Sequence, residues 1–144
     1  MKRIKELELL NQIREIREFD FGIFYFFKKG IIISEMNKGV LFRWEDASKV
    51  VTAAENIYGL EIPIIYIANR INNYYVVPSN WLKFYQNRHK MAFYGVVGQT
   101  TGSRASLLLE RFFFKNSIIQ FNDLDDAVLW AVEKSHLKTY PLSH

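Results

Sequence analysis

Ser117-Ile118-Ile119-Gln120-Phe121-Asn122-Asp123-Leu124-Asp125-Asp126-Ala127-Val128-Leu129-Trp130 decides how the rest of the chain is read. Its first residues form a short apolar strand, and an acidic helix start follows. The remainder is an amphipathic helix carrying Ala127 and Trp130. Asp123 stands at the N-cap position with Asp126 three residues on, so both carboxylates meet the partial positive charge of the helix start. A strand running into a capped amphipathic helix is the ending expected of a small α/β domain.

At 144 residues the chain suits one domain rather than two. A domain of this size buries about 68 to 70% of its unfolded surface and sustains a core without staples. With no cysteine a disulfide framework is excluded, which fits a reducing compartment. The apolar-aromatic run over residues 21–27 is broken by Lys28-Lys29-Gly30, far short of the ~20 residues that span a bilayer. Residues 1–20 are charged throughout, unlike the apolar core of a signal peptide. The expectation is a soluble, cytoplasmic protein.

The formal charge of +4 comes from basic residues interleaved with acidic ones along the whole chain. Nucleic-acid proteins gather such residues on one face, so nucleic acid is not an expected partner. Aromatic residues, 16% of the chain, fall mostly inside apolar runs where core packing accounts for them.

Working outward, residues 2–18 carry Ile4, Leu7, Leu10, Ile13 and Ile16 at three-residue spacing among charges, which predicts over residues 1–18 either a short amphipathic helix running into an extended segment before Phe19 or a mobile arm. The α/β domain proper spans 19–136, and 137–144 form a C-terminal tail. Runs at 23–27 and 31–35, joined by Lys28-Lys29-Gly30, predict an antiparallel hairpin. Ala47, Val50, Val51, Ala54, Ile57 and Tyr58 mark a helix ended by Gly59. Ile62-Pro63-Ile64-Ile65-Tyr66-Ile67-Ala68 is nearly continuous in apolar residues, as for a central strand covered on both faces. Pro78-Ser79-Asn80 opens a short helix through Trp81, Leu82 and Tyr85. Residues 91–97 form a second buried strand. Ala105, Leu108, Leu109 and Phe112 stripe a further helix.

The predicted order is β-β-α-β-α-β-α-β-α, a single α/β domain with a mixed four- to five-stranded sheet and about four helices. Ile64, Ile65, Ile67, Val96, Val97 and Ile119 are expected at the sheet centre, with Val51, Ala54, Leu108 and Trp130 packed against it.

This order, with Phe21-Gly22-Ile23-Phe24-Tyr25-Phe26-Phe27, Asn37-Lys38-Gly39-Val40, Asn69-Arg70, Pro78-Ser79-Asn80-Trp81, Leu109-Glu110-Arg111-Phe112-Phe113 and the segment from Phe121 to Trp130, resembles the STAS domain. The likeness is to stand-alone SpoIIAA-like proteins of the Bacteroidetes type and covers about residues 19–132. It implies a regulatory module of the anti-sigma-factor-antagonist kind, with a protein partner and no cofactor. One departure matters. The family's phosphoswitch segment, Asp-Ser-Ser-Gly-like, should follow the central strand, where this chain has Asn69-Arg70-Ile71-Asn72-Asn73 and no hydroxyl. Ser79 is displaced from that position and reads as a capping serine.

No catalytic signature emerges. Gly98-Gln99-Thr100-Thr101-Gly102-Ser103-Arg104 joins a strand to a helix but fails both the Walker spacing and the dinucleotide fingerprint. His89, His136 and His144 do not cluster like metal ligands. No nucleophile, base and orienting group can be assembled, so an enzyme is not expected. The alternative to a protein-interaction module is a small-ligand carrier or sensor, because open α/β sheets bind ligands beyond the strand carboxyl ends. The candidate ligand- or partner-binding residues are therefore Asn69, Arg70, Asn72, Asn73, Tyr74, Thr100, Thr101, Ser103 and Arg104. Arg70 and Arg104 suit a small anionic ligand or an acidic partner residue, and an apolar ligand or a homodimer is also compatible.

Overall fold

The computed structural model describes residues 12–80, 83, 91–98 and 118–136. Among these, the chain runs through β1 (Ile13–Phe19), β2 (Gly22–Phe27), β3 (Ile31–Met36), β4 (Leu41–Phe42), α1 (Trp44–Tyr58), β5 (Ile64–Asn69), β6 (Tyr75–Val76), β7 (Met91–Val97), β8 (Ile118–Phe121) and α2 (Leu124–Lys134). Six strands form one mixed sheet in the order β1-β2-β3-β5-β7-β8, and β4 pairs with β6 in a second, two-stranded sheet. The first three strands are an antiparallel meander. From β3 onward every neighbour is parallel.

Among the described residues the sheet has six strands rather than the expected four or five, and the added strand is instructive. Residues 13–18, expected in a helix, in an extended segment leading to Phe19 or in an arm, form with Phe19 the strand β1. The register shifts between Ile13 and Glu15, while Ile13 faces Phe27 and Ile16 faces Tyr25 on the same side of the sheet. One extra residue at this bulge turns the two-residue period of a strand into a spacing of three. That spacing imitates a helical turn. The hairpin is pinned by Phe19, whose ring stacks on Phe21 at 5.0 Å and meets Phe24 edge-on at 5.6 Å.

The second hairpin forms where the sequence placed it. Lys29 and Gly30 adopt φ of 65° and 77° in the tight turn between β2 and β3, and a Cβ on Gly30 would come 2.5 Å from the Pro63 carbonyl oxygen. Only glycine fits both the positive φ and that approach.

Both faces of the sheet are covered, which is why the central strands are apolar without alternation. Phe24, Phe26, Ile32, Ala68 and Val96 pack against Ala53, Ala54 and Tyr58 of α1. On the opposite face Tyr25, Phe27, Ile33, Ile65, Ile67 and Val97 meet Leu124, Ala127, Val128 and Ala131 of α2. Among the expected central residues, Ile65, Ile67, Val96 and Val97 are fully buried, and Ile64 is partly so. Ile119 is not: it is 43% exposed, because among the described residues β8 is the end strand and the Trp130 ring covers Gly95 and Phe121 beside it.

Asp123 caps α2 as read from the sequence, its Oδ1 accepting from the Asp126 N–H at 2.9 Å. Gly59, with φ of 83°, ends α1. Pro78–Asn80 forms a 3-10 turn. The rest of the helix expected through Trp81, Leu82 and Tyr85, and the one carrying Leu108, lie outside the described residues, which contain two α-helices.

Candidate functional site

Because β3, β5, β7 and β8 are parallel, their carboxyl ends share one edge of the sheet, where open α/β folds hold their working residues. Two segments leaving that edge zip together. The Gly39 N–H donates to the Asn73 carbonyl at 2.7 Å, Tyr75 N–H to Val40 at 2.9 Å and Val77 N–H to Phe42 at 3.1 Å. Asn72 Nδ2 ties the same cover to the end of β3 through the Met36 carbonyl at 3.0 Å. The start of α1 is joined to it as well, since Asn80 Oδ1 accepts from the Trp44 N–H at 2.7 Å.

The cover has an apolar inside and an apolar outside. Inside, Phe42 packs its ring 5.4 Å from Phe21, and Val76 is buried in the same cluster. Outside, Leu41 and Tyr75 are direct register partners in the parallel pair and are 54% and 38% exposed. Arg43, which follows β4 as the N-cap of α1, and Asn73, two residues before β6, are exposed as well.

At this end of the sheet buried polar groups lie on both faces, Ser34 and Arg70 on the α1 face with the cover and Glu35 and Asn69 on the α2 face. Ser34, Glu35, Asn69 and Arg70 are all buried. Asn69 Nδ2 donates to Glu35 Oε2 at 3.1 Å, and the Ser34 and Tyr66 hydroxyls share a hydrogen bond of 2.6 Å. Arg70 Nε and Nη2 donate to the Tyr74 and Tyr94 hydroxyls, each at 3.2 Å. The guanidinium carbon also lies 5.5 Å from the centre of the Tyr74 ring. A buried cation is tolerated only when its donors are met. Here the planar fork ties the loop after β5 to the tyrosine of β7, a task the ammonium of lysine performs poorly.

The sequence-predicted residues therefore divide. Arg70 and Tyr74 come together with Tyr94 in the α1-face cluster, buried rather than on an open rim, whereas Asn69 is buried on the α2 face against Glu35. Asn72 and Asn73 hold the cover's own shape through the bonds just described. Thr100, Thr101, Ser103 and Arg104 lie outside the described residues, as does any juxtaposition of Arg104 with Arg70. Ser79 is exposed and accepts from Asn80 Nδ2 at 3.3 Å; the residue that caps α1 from this turn is Asn80. Leu41, Tyr75 and Glu35 were not singled out from sequence, because the pairing that aligns Leu41 with Tyr75 joins distant segments and leaves no local pattern.

A further buried hydroxyl belongs to α1 itself. Tyr58 donates to the Phe27 carbonyl and approaches the Ile31 carbonyl at 3.3 Å. Burial holds its phenol above the ordinary value of 10.0, an effect that Arg14, 5.5 Å from the ring centre, partly opposes. Among the described residues no group of three or more His, Cys, Asp or Glu is placed to hold a metal, and no helix is long and apolar enough to cross a membrane. No family model matches the chain, and neither a curated protein nor a solved structure matches it.

Proposed function

We propose that this protein is a non-enzymatic regulatory module that works by binding another protein, in the manner of the anti-sigma-factor antagonists it resembles but without their phosphorylatable serine. Its working surface is the outer face of the β4–β6 cover. The observation that carries this is the exposed, in-register pair Leu41 and Tyr75 on a small sheet whose inner face is anchored in the core. A tyrosine and a leucine side by side on a fixed backbone offer apolar contact at low entropic cost, and Tyr is enriched at interface hot spots. Arg43 and Lys38, both exposed, favour a partner that brings an apolar side chain together with carboxylates.

A small-anion carrier at the same rim is less well supported, because the side chains of Asn69 and Arg70 turn into the protein. The test is a photo-crosslinking amino acid at position 75, compared in native cells with one at position 129, where Leu129 is 69% exposed on α2. A discrete protein adduct from position 75 that is absent from position 129 is the expected result. Equal adducts from both positions, or none from position 75, would remove the cover from consideration.

A further inference from the structure

β1 ends the six-stranded sheet, and among the described residues β2 is its strand partner. An edge strand presents outward N–H and C=O groups to any chain that can align with it, and proteins usually blunt such edges with charged side chains, lysine above all, or with bulges. β1 carries a bulge and charges, but its charges are of both signs and self-complementary. Its centre reads Arg14-Glu15-Ile16-Arg17-Glu18, alternating in sign around one apolar residue that is 54% exposed.

We propose that β1 is a homodimerisation edge, two copies of the chain joining antiparallel about a two-fold axis through Ile16. In an antiparallel pair so centred, each residue faces the one equally far beyond the axis, so Glu15 lies opposite Arg17 of the second copy and Arg17 opposite its Glu15. Both side chains are on the α1 face, since Glu15 is in register with Phe26 and Arg17 with Phe24. Arg17 already donates to Glu15 along its own strand. The dimer closes these four groups into a square in which every neighbour carries the opposite charge. On the other face Ile16 meets its own copy within cross-strand contact distance. The bulge fixes the limit of the pairing: it draws Arg14 towards Tyr58, 5.5 Å from the ring centre, so recognition is concentrated at residues 15–17. This surface lies at the meander edge of the sheet and does not depend on the function proposed for the cover.

Charge reversal tests the pairing directly. Sedimentation equilibrium from micromolar to millimolar concentration should show wild-type dimer. Arg17→Glu places four carboxylates in the square and Glu15→Arg four guanidinium groups, and each variant alone should associate at least about tenfold more weakly, since like charges directly opposite are destabilising. An equimolar mixture of the two variants should dimerise again, and the double variant Glu15→Arg/Arg17→Glu should dimerise like wild type even where a single variant folds poorly. Monomer throughout the wild-type range overturns the proposal. So do single variants that dimerise as well as wild type, or a mixture that fails to recover.

Discussion

Gly95 and Trp130 are in direct apposition: a Cβ on Gly95 would come 2.9 Å from Trp130 Cζ3 and 3.2 Å from Phe121 Cε2. The indole is held edge-on to Phe93 at 5.9 Å and tilted against Phe121 at 5.3 Å, so it has little room to retreat. Gly95→Ala should lower stability by about 1 to 3 kcal/mol, the usual cost of overpacking. Combined with Trp130→Leu, the added methyl should cost less than it does alone. Urea unfolding of the two single variants and the double variant gives this coupling, and simple additivity would contradict the contact.

The centre of the sheet makes a second, cruder prediction. Ile65 is almost fully buried between β3 and β7 on the α2 face. Ile65→Ala should cost about 2 to 5 kcal/mol. Ile119→Ala, at a position expected from sequence to be central but exposed at the end strand, should cost less than about 1 kcal/mol, as surface changes usually do. Comparable losses at the two sites would contradict the assignment of β8 as a partly uncovered edge.

Tyr58 gives the fold a pH dependence on its alkaline side. Above the ordinary phenol value of 10.0 the unfolded chain releases this proton while the folded chain keeps it. The folded state then binds more protons, so stability falls as pH rises, by about 1.4 kcal/mol per pH unit from this group. At pH 7 Tyr58→Phe should cost about 0.5 to 1.5 kcal/mol through the lost hydrogen bond. Because phenylalanine does not titrate, the gap between wild type and variant should close above pH 10. A gap that is constant from neutral pH to pH 11, followed by circular dichroism in urea, would contradict a buried, hydrogen-bonded phenol.

Much of this architecture was legible in the sequence because the physics behind it is local. The near-continuous apolar runs of β5 and β7, the Lys29-Gly30 turn and the Asp123 cap each depend on neighbours a few residues apart, and each is present. Where the sequence misled, the determining contact was distant. β1 looked helical because a bulge set by pairing with β2 changed its period. Arg70 looked like an exposed cation, yet it is buried because Tyr74 and Tyr94 converge on it, and no spacing reveals a hydroxyl 24 residues away. The Leu41–Tyr75 pair arises from segments either side of α1 and β5, so composition could not announce it.

Arg70 should accordingly behave as a support of the cover. Arg70→Lys loses the fork that reaches both tyrosine hydroxyls and should reduce stability by about 1.5 to 3 kcal/mol, the range for a hydrogen bond to a charged group. Hydrogen exchange should increase at the amides of Tyr75 and Val77, which bond across the cover. Unchanged exchange there would mean that the guanidinium does not hold the cover down.

Affinity for the protein captured through position 75 tests the central claim most directly. Measured by calorimetry with purified components, Leu41→Asp and Tyr75→Ala, each shown to be folded, should weaken binding at least about tenfold, as expected for hot-spot residues, while Leu129→Asp on α2 should leave it unchanged. Binding that survives both cover substitutions and is lost with Leu129→Asp would place the working surface on α2 and contradict the account.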